Sequence, residues 1–258
     1  MVDLNRKIKA TQAQQGGFSA QVLPADVSYA PIVPGTVLVY SDGSTEPVIT
    51  GGPLKTGAGV IASVGSGGPF GEPYFQTLGV PFNFSGSPLA LGTGNYTVDA
   101  WYRRTSTASI IYPVVVNWVG QATSGAYSEN RVYVNVSENF PGQPVPAPNI
   151  NVFAGRSATT DPASEYLIQK GITLDVWRHI AVQRRNNLLE AWDNGSKITS
   201  VWLNDNYTEP LDFGANTTFA IGSGTYTIDV GQIRINPGTA IYPSGAAITV
   251  PTAPFFVP

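Results

Sequence analysis

From Pro73 onward, apolar residues recur at every second position in short runs. In "NYTVDAWYRR", Val98, Ala100 and Tyr102 fall on one face and Thr97, Asp99 and Trp101 on the other. That is the period of two expected of a strand. "NRVYVNVSE" alternates in the same way, and "VPFNFSG" alternates and ends in a turn. "IIYPVVVNWVG" is almost continuously apolar, which suits a strand covered on both faces, with Pro113 at an edge or a bulge. "TLDVWRHIAVQRR", "LLEAWDNG", "SKITSVWL", "NTTFAIGSG", "YTIDVGQIRI" and "AAITV" complete the set, and "PGQPVPAPNINVFAG" opens as a proline-rich connection. Roughly a dozen short strands separated by turns predict an all-β fold, a jelly-roll-like sandwich of two antiparallel sheets. No internal repeat stands out.

Upstream the pattern weakens. Residues 17–50 read as strand pieces broken by proline, with Val37–Tyr40 running into the turn Ser41-Asp42-Gly43. Residues 1–16 carry Arg6, Lys7 and Lys9 and then turn Gln-rich, without an apolar stripe wide enough to bury. The expected division is an N-terminal arm with a small β extension over 1–50 and a sandwich over 51–258. Residues 51–73 are glycine-rich. A phosphate-binding loop would need a Lys-Ser/Thr pair and a helix after Gly65, Gly67, Gly68 and Gly71. "EPYFQTLGVPF" follows instead, so a flexible loop is expected there.

Composition narrows the function classes. Charged residues make up only 12% of the 258, while Gly (28) and Pro (21) are abundant, which disfavours long helices. The net charge of −3 and the pI near 5.1 leave no basic stripe for nucleic acid. No apolar run has the length of a membrane span, and the start "MVDLNRKIKATQAQQGG" lacks the apolar core of a signal peptide. The chain has no cysteine, so disulfides and thiolate metal sites are excluded. The Asn-x-Ser/Thr sequences at Asn95 and Asn206 read as chance matches in an Asn/Thr-rich chain.

The one histidine, His179, lies in "LDVWRHIAVQRRNNLLEAWDNGSKI". On a strand it shares a face with Trp177 and Ala181, opposite Ile180 and Val182. Asp193-Asn194-Gly195 has the chemistry of a tight turn at positive φ. Two antiparallel strands and this turn account for the block without any reaction chemistry.

In order along the chain, "YTVDAWYRR", "VWRHIAVQR", "LLEAWDNG", "TFAIGSG" and "IDVGQIRI" resemble the laminin-G-like, concanavalin A-like β-sandwich family. Its members carry "I-E-A-W-V-R", "W-H-H-V-A-V-x-R", "L-Y-V-D-G", "I-G" and "I-D-D-V-R-I" in that order. The ending "GQIRINPGTAIYPSGAAITVPTAPF" is similar to that of bacteriophage-encoded members, with Tyr242 and Pro251 to Phe255 in matching places. The resemblance implies a concanavalin-like jelly roll and a virion protein made in the bacterial host cytoplasm. Two departures bear on ligands. The family's acidic pair before "V-R-I" is Gly231-Gln232 here, with Asp229 shifted, which puts calcium in doubt. The second family histidine is Arg178, so no imidazole pair exists for a transition metal. No cofactor or metal is expected.

Catalysis by His179 would need a nucleophile and an orienting carboxylate, and no G-x-S-x-G pattern occurs. The E-x-D-x-x-E pair of concanavalin-type glucanases is absent as well, and Glu190 and Asp193 face opposite ways on a strand. A non-enzymatic role is therefore expected, principally capsid decoration. The arm would dock on the major capsid protein or another virion protein through Arg6, Lys7, Lys9 and Phe18, in a homo-oligomer. The alternative is a tail-fibre or spike domain that binds host glycan. Trp118, Trp192, Trp202, Tyr127 and Tyr207 are the aromatics considered for sugar stacking. Tyr127, Trp202 and Tyr207 are the candidate contacts, the last two flanking the loop "WLNDNY". Trp101 and Trp177 are expected in the core.

Overall fold

The computed structural model describes residues 33–56, 61–77, 81–105, 114–120, 130–137, 149–156, 164–169, 171–198, 200–202, 212–222, 228–245 and 247–255. Numbered in chain order, its strands form two sheets. The nine-stranded sheet runs β14 (Ser196–Lys197), β13 (Leu188–Asp193), β12 (Arg178–Arg185), β7 (Tyr96–Arg103), β17 (Asp229–Pro237), β1 (Val37–Tyr40), β2 (Val48–Ile49). β5 (Pro73–Thr77) also pairs with β17, and β4 (Ile61–Ser66) pairs with β5. The eight-stranded sheet runs β15 (Ser200–Trp202), β11 (Ser164–Gln169), β10 (Asn149–Arg156), β9 (Asn130–Ser137), β8 (Val114–Gly120), β16 (Thr217–Ile221), β6 (Phe82–Ser85), β3 (Leu54–Lys55). Every strand pairing is antiparallel. The sheets face one another as a jelly-roll sandwich.

The alternation read from the sequence decides which side chains enter the space between the sheets. Val98, Ala100 and Tyr102 of β7, Ile180 and Val182 of β12, and Ile233 and Ile235 of β17 point inward from the larger sheet. Val132, Val134 and Val136 of β9, with Ile150 and Val152 of β10, meet them from the smaller one. Aromatic rings add directed contacts. Phe219 stacks on Phe84 at 5.6 Å and on Trp118 at 5.7 Å, and Tyr96 meets Trp118 edge-on at 5.8 Å. Trp118 is therefore a core residue of the sandwich and is removed from the sugar-stacking candidates. β8 ends at Gly120, where an added Cβ would lie 2.2 Å from the Phe213 carbonyl oxygen, so only glycine allows that approach.

Turn chemistry joins the strands as the residue types require. Asn186 and Asn187, at φ 48° and 69°, turn β12 into β13. Asn194 and Gly195, at φ 46° and 81°, turn β13 into β14. The segment expected as a glycine-rich loop contains β3 and β4. Its Gly67 and Gly68 amides donate to the Glu72 carbonyl, which closes the β4–β5 hairpin. Among its described residues "AAITV", expected as a strand, contributes one isolated bridge, Ser196 to Ala247. β1 and β2 belong to the nine-stranded sheet, with Val37 opposite Ile235, so this sheet reaches across the boundary expected at 50/51. The arm residues Arg6, Lys7, Lys9 and Phe18 lie outside the described residues.

One feature does not follow from a simple sandwich. The outer face of the nine-stranded sheet is also buried, because residues 238–255 cross it. Trp101, Leu38, Tyr40 and Phe255 form one cluster there, with Trp177 packed against it. Trp192, Ala181, Tyr242 and Ile248 form a second. Trp101 is thus packed under the C-terminal segment rather than in the central core, and the half-buried Trp177 lies at the margin of that cluster, its Nε1 donating to the Gly67 carbonyl at 2.8 Å. Trp192 is fully buried and its Nε1 donates to the Gly245 carbonyl at 3.2 Å, so it too leaves the list of sugar-stacking candidates.

Candidate functional site

His179 occupies the middle of the covered face, paired across strands with Trp101. It is 0% exposed. Its Nε2 lies 3.2 Å from Asp99 Oδ2. An ionised carboxylate only accepts, so Nε2 is the donor. The Asp99 carboxylate also forms a two-pronged pair with Arg234, Nε to Oδ1 at 2.9 Å and Nη2 to Oδ2 at 2.5 Å. The Tyr242 hydroxyl donates to Asp99 Oδ2 at 2.7 Å, and Arg234 Nη2 donates to the Tyr242 oxygen at 2.9 Å. Phe255 closes the cluster, its ring centre 4.6 Å from the guanidinium carbon. Asp99, His179, Arg234 and Tyr242 each stand in one of the segments that carry the family resemblance. The structure gathers them into one sealed contact between sheet and C-terminal segment.

Neighbouring side chains hold the same segment. The Gln183 amide pairs with the Tyr242 backbone, Nε2 to O at 2.9 Å and N to Oε1 at 3.1 Å. Ser244 Oγ donates to Glu190 Oε2 at 2.9 Å, and Lys197 Nζ to Glu190 Oε1 at 2.8 Å. Asp193 faces the other way, accepting from Tyr102 Oη at 3.2 Å and pairing with Arg178. The two carboxylates of the "LLEAWD" strand therefore sit on opposite faces, each in an ion pair, and do not flank a common bond. Nothing in the cluster combines an exposed nucleophile with a base.

Burial alone would raise the Asp99 carboxyl, but the Arg234 guanidinium, with hydrogen bonds from His179 and Arg234, holds it near 2. The sign follows from linkage. A carboxyl depressed in the folded state adds stability that is complete above its unfolded value, near 4. That stability is lost as pH falls through about 2, here about 2 kcal/mol. Urea midpoints of the unaltered protein are expected to fall steeply between pH 4 and 2.

Beside this cluster Arg103 lies over two rings, 5.1 Å from the centre of Tyr74 and 4.8 Å from that of Trp177. Both its Nε and Nη2 donate to Asp229 Oδ2, at 3.0 and 2.8 Å, while Gln76 donates to Oδ1 at 2.8 Å. The charge of the shifted Asp229 is thus already matched. Gly231, in place of a family acid, packs flush against Trp101 and Pro69, where a Cβ would meet atoms at 3.1 and 3.2 Å. Among the described residues no group of three His, Asp or Glu side chains converges on a metal position.

The outer face of the eight-stranded sheet differs in character. Register places Asn83, Ala220, Asn117, Tyr133, Phe153, Tyr166 and Trp202 opposite one another in succession, on β6, β16, β8, β9, β10, β11 and β15. Directly opposed residues share a face, so Tyr133 and Phe153 stand side by side on it, and the register shifts between Tyr166 and Leu167 where β11 meets β15. Tyr133 and Phe153 are half-buried, with ring centres 6.0 Å apart. Arg131 Nη1 donates to Tyr133 Oη at 3.1 Å. In the next row Asn151 Nδ2 donates to Asn135 Oδ1 at 3.0 Å. Trp202, one of the three candidate sugar contacts, falls on this row by register. Tyr127 and Tyr207 lie outside the described residues.

Neither a family model nor a curated relative matches the sequence. Solved structures do match in fold. The receptor-binding domain of botulinum neurotoxin mosaic serotype C/D is 11% identical, with 78% of this chain and 46% of that chain covered, at a TM-score of 0.52. The shared feature is a lectin-like jelly-roll sandwich. The exoplasmic/lumenal domain of VIP36 in its Ca2+/Man2-bound form is 10% identical, covering 72% of this chain and 80% of that one, at 0.45. The carbohydrate-binding module CBM66 from Bacillus subtilis is 8% identical, covering 72% and 95%, at 0.40. The chain spans about half the length of the neurotoxin binding domains it matches.

Proposed function

We propose that this protein is a non-enzymatic glycan-binding domain that uses the outer face of the eight-stranded sheet. The observation that carries this reading is the pair of half-buried rings Tyr133 and Phe153, side by side on that face with centres 6.0 Å apart. Aromatic faces pack against the C–H faces of sugar rings, and side-chain amides both donate to and accept from hydroxyls. Asn117 and Asn135 supply such amides on the same face. The receptor-binding role in the name of the neurotoxin domain that shares this fold agrees with the reading. So does the other face, where the imidazole and the carboxylates are spent on holding the C-terminal segment. In the setting implied by the phage-type ending, the domain belongs to a tail fibre or spike.

A glycan array probed with the unaltered protein tests this, and discrete binding to carbohydrate is expected. Imaging of particles then separates the tail role from capsid decoration. A few copies at the tail fit the proposal, whereas hundreds over the head, with a blank array, fit decoration instead.

A further inference from the structure

Resting on the glycan-binding reading, we infer that this face recognises the end of a glycan chain. One terminal pyranose is seated at Phe153 and Tyr133, and the rest of the chain leads away over β8. The burial of the outward positions gives the shape. On β10 these positions are Asn149, Asn151, Phe153 and Gly155. Asn149 and Asn151 are only 2% and 1% exposed, and Gly155 is buried as well. Phe153 is thus the one described outward position of β10 that reaches water. On β9 Arg131, Tyr133 and Asn135 are all half-buried, and on β8 so are Asn117 and Val119. Farther across, Thr218 of β16 is exposed, and Asn83 and Ser85 of β6 are half-buried. The accessible face therefore narrows from several positions on β8 and β9 to a single ring on β10.

The two rings fit one sugar better than a run of them. Their centres lie 6.0 Å apart and their planes are tilted by 42°. A flat chain cannot lie against two faces so inclined, whereas a single pyranose rests on one ring face with its rim against the other. The Tyr133 ring is held in advance, because Arg131 Nη1 donates to its hydroxyl at 3.1 Å, which lowers the ordering cost of binding. Along β10 the covered Asn151 and Gly155 stand on either side of Phe153, so the chain does not continue in that direction. The Asn151 amide is itself turned to Asn135, Nδ2 to Oδ1 at 3.0 Å.

The way onward crosses the strands. One strand spacing, about 4.8 Å, carries a second unit from Tyr133 to its cross-strand neighbour Asn117, whose amide both donates to and accepts from hydroxyls. Past Asn117 the next position is the buried Ala220, which offers no ring to a third unit. The stacking contacts therefore fall on the terminal sugar, and chain length adds little.

Amide chemical-shift titrations test this with the methyl glycosides of glucose, galactose, mannose, rhamnose, N-acetylglucosamine and N-acetylgalactosamine, and with oligosaccharides ending in the same sugars. One methyl glycoside is expected to bind within about threefold of the affinity of its tetrasaccharide. Phe153→Ala and Tyr133→Ala are each expected to weaken that binding by about five- to tenfold. Phe153→Tyr, which keeps the ring, is expected to change it by less than about twofold. An affinity that climbs about tenfold or more from methyl glycoside to tetrasaccharide would overturn the inference while leaving the glycan-binding reading standing. So would array binding that none of the methyl glycosides competes away. A blank array, with no shift from any of these probes, would remove both.

Discussion

Replacing Arg234 with methionine is expected to destabilise the protein by about 3–5 kcal/mol, because it leaves the Asp99 carboxylate buried without its counter-charge. The Tyr242 and His179 donors to Asp99 remain, but neither replaces a guanidinium held at two points. In a chain of this size the change should appear as a fall in Tm of roughly 6–20 °C. Asp99→Leu combined with Arg234→Met is expected to recover part of the loss, since it removes the lone buried charge but takes the acceptor from the Tyr242 hydroxyl and His179 Nε2. A loss below about 1 kcal/mol in the single variant would mean that water reaches the pair and that the C-terminal segment does not seal it.

Ending the chain after Pro237 is expected to have a still larger effect. Tyr242 and Phe255 would be lost from over Asp99 and Arg234, and Trp101, Ala181 and Trp192 would be laid open to water. Several buried aromatic and aliphatic side chains at about 1.5–3 kcal/mol each, plus the exposed ion pair, reach the typical total stability of a domain. The truncated chain should be insoluble or melt without cooperativity. Phe255→Ala provides the milder test, with an expected loss of about 3–5 kcal/mol and a red shift in tryptophan fluorescence. A truncated chain with the near-ultraviolet dichroism and Tm of the full chain would show that the segment merely lies on the sheet.

Much of the sandwich was legible in the sequence. Alternation placed Val98, Ala100 and Tyr102 inside and Thr97, Asp99 and Trp101 outside, because a strand's side chains alternate whatever its neighbours are. The Asn194-Gly195 turn was readable from the positive φ it demands. What alternation does not encode is which outer face becomes covered. Trp101 and Trp192 look alike on their strands, and only the path of residues 238–255 decides that both are packed away. The candidate site was missed for a related reason. Tyr133 in "NRVYVNVS" and Phe153 in "NINVFAG" each sit opposite a valine face, so each was readable as an outward aromatic. Their pairing exists only through strand register, which sets Tyr133 opposite Phe153 and beside Asn117. The resemblance held the other clue. Its segments contain Asp99, His179, Arg234 and Tyr242, residues that fasten the fold and say little about the ligand.

Amide chemical-shift mapping during titration with a bound oligosaccharide tests the central claim most directly. The account predicts the largest shifts at Asn117, Tyr133 and Phe153 and along their strands, with Asp99, His179, Arg234 and Tyr242 unmoved. Shifts gathered at His179 and the C-terminal segment, with Tyr133 and Phe153 unmoved, would contradict it.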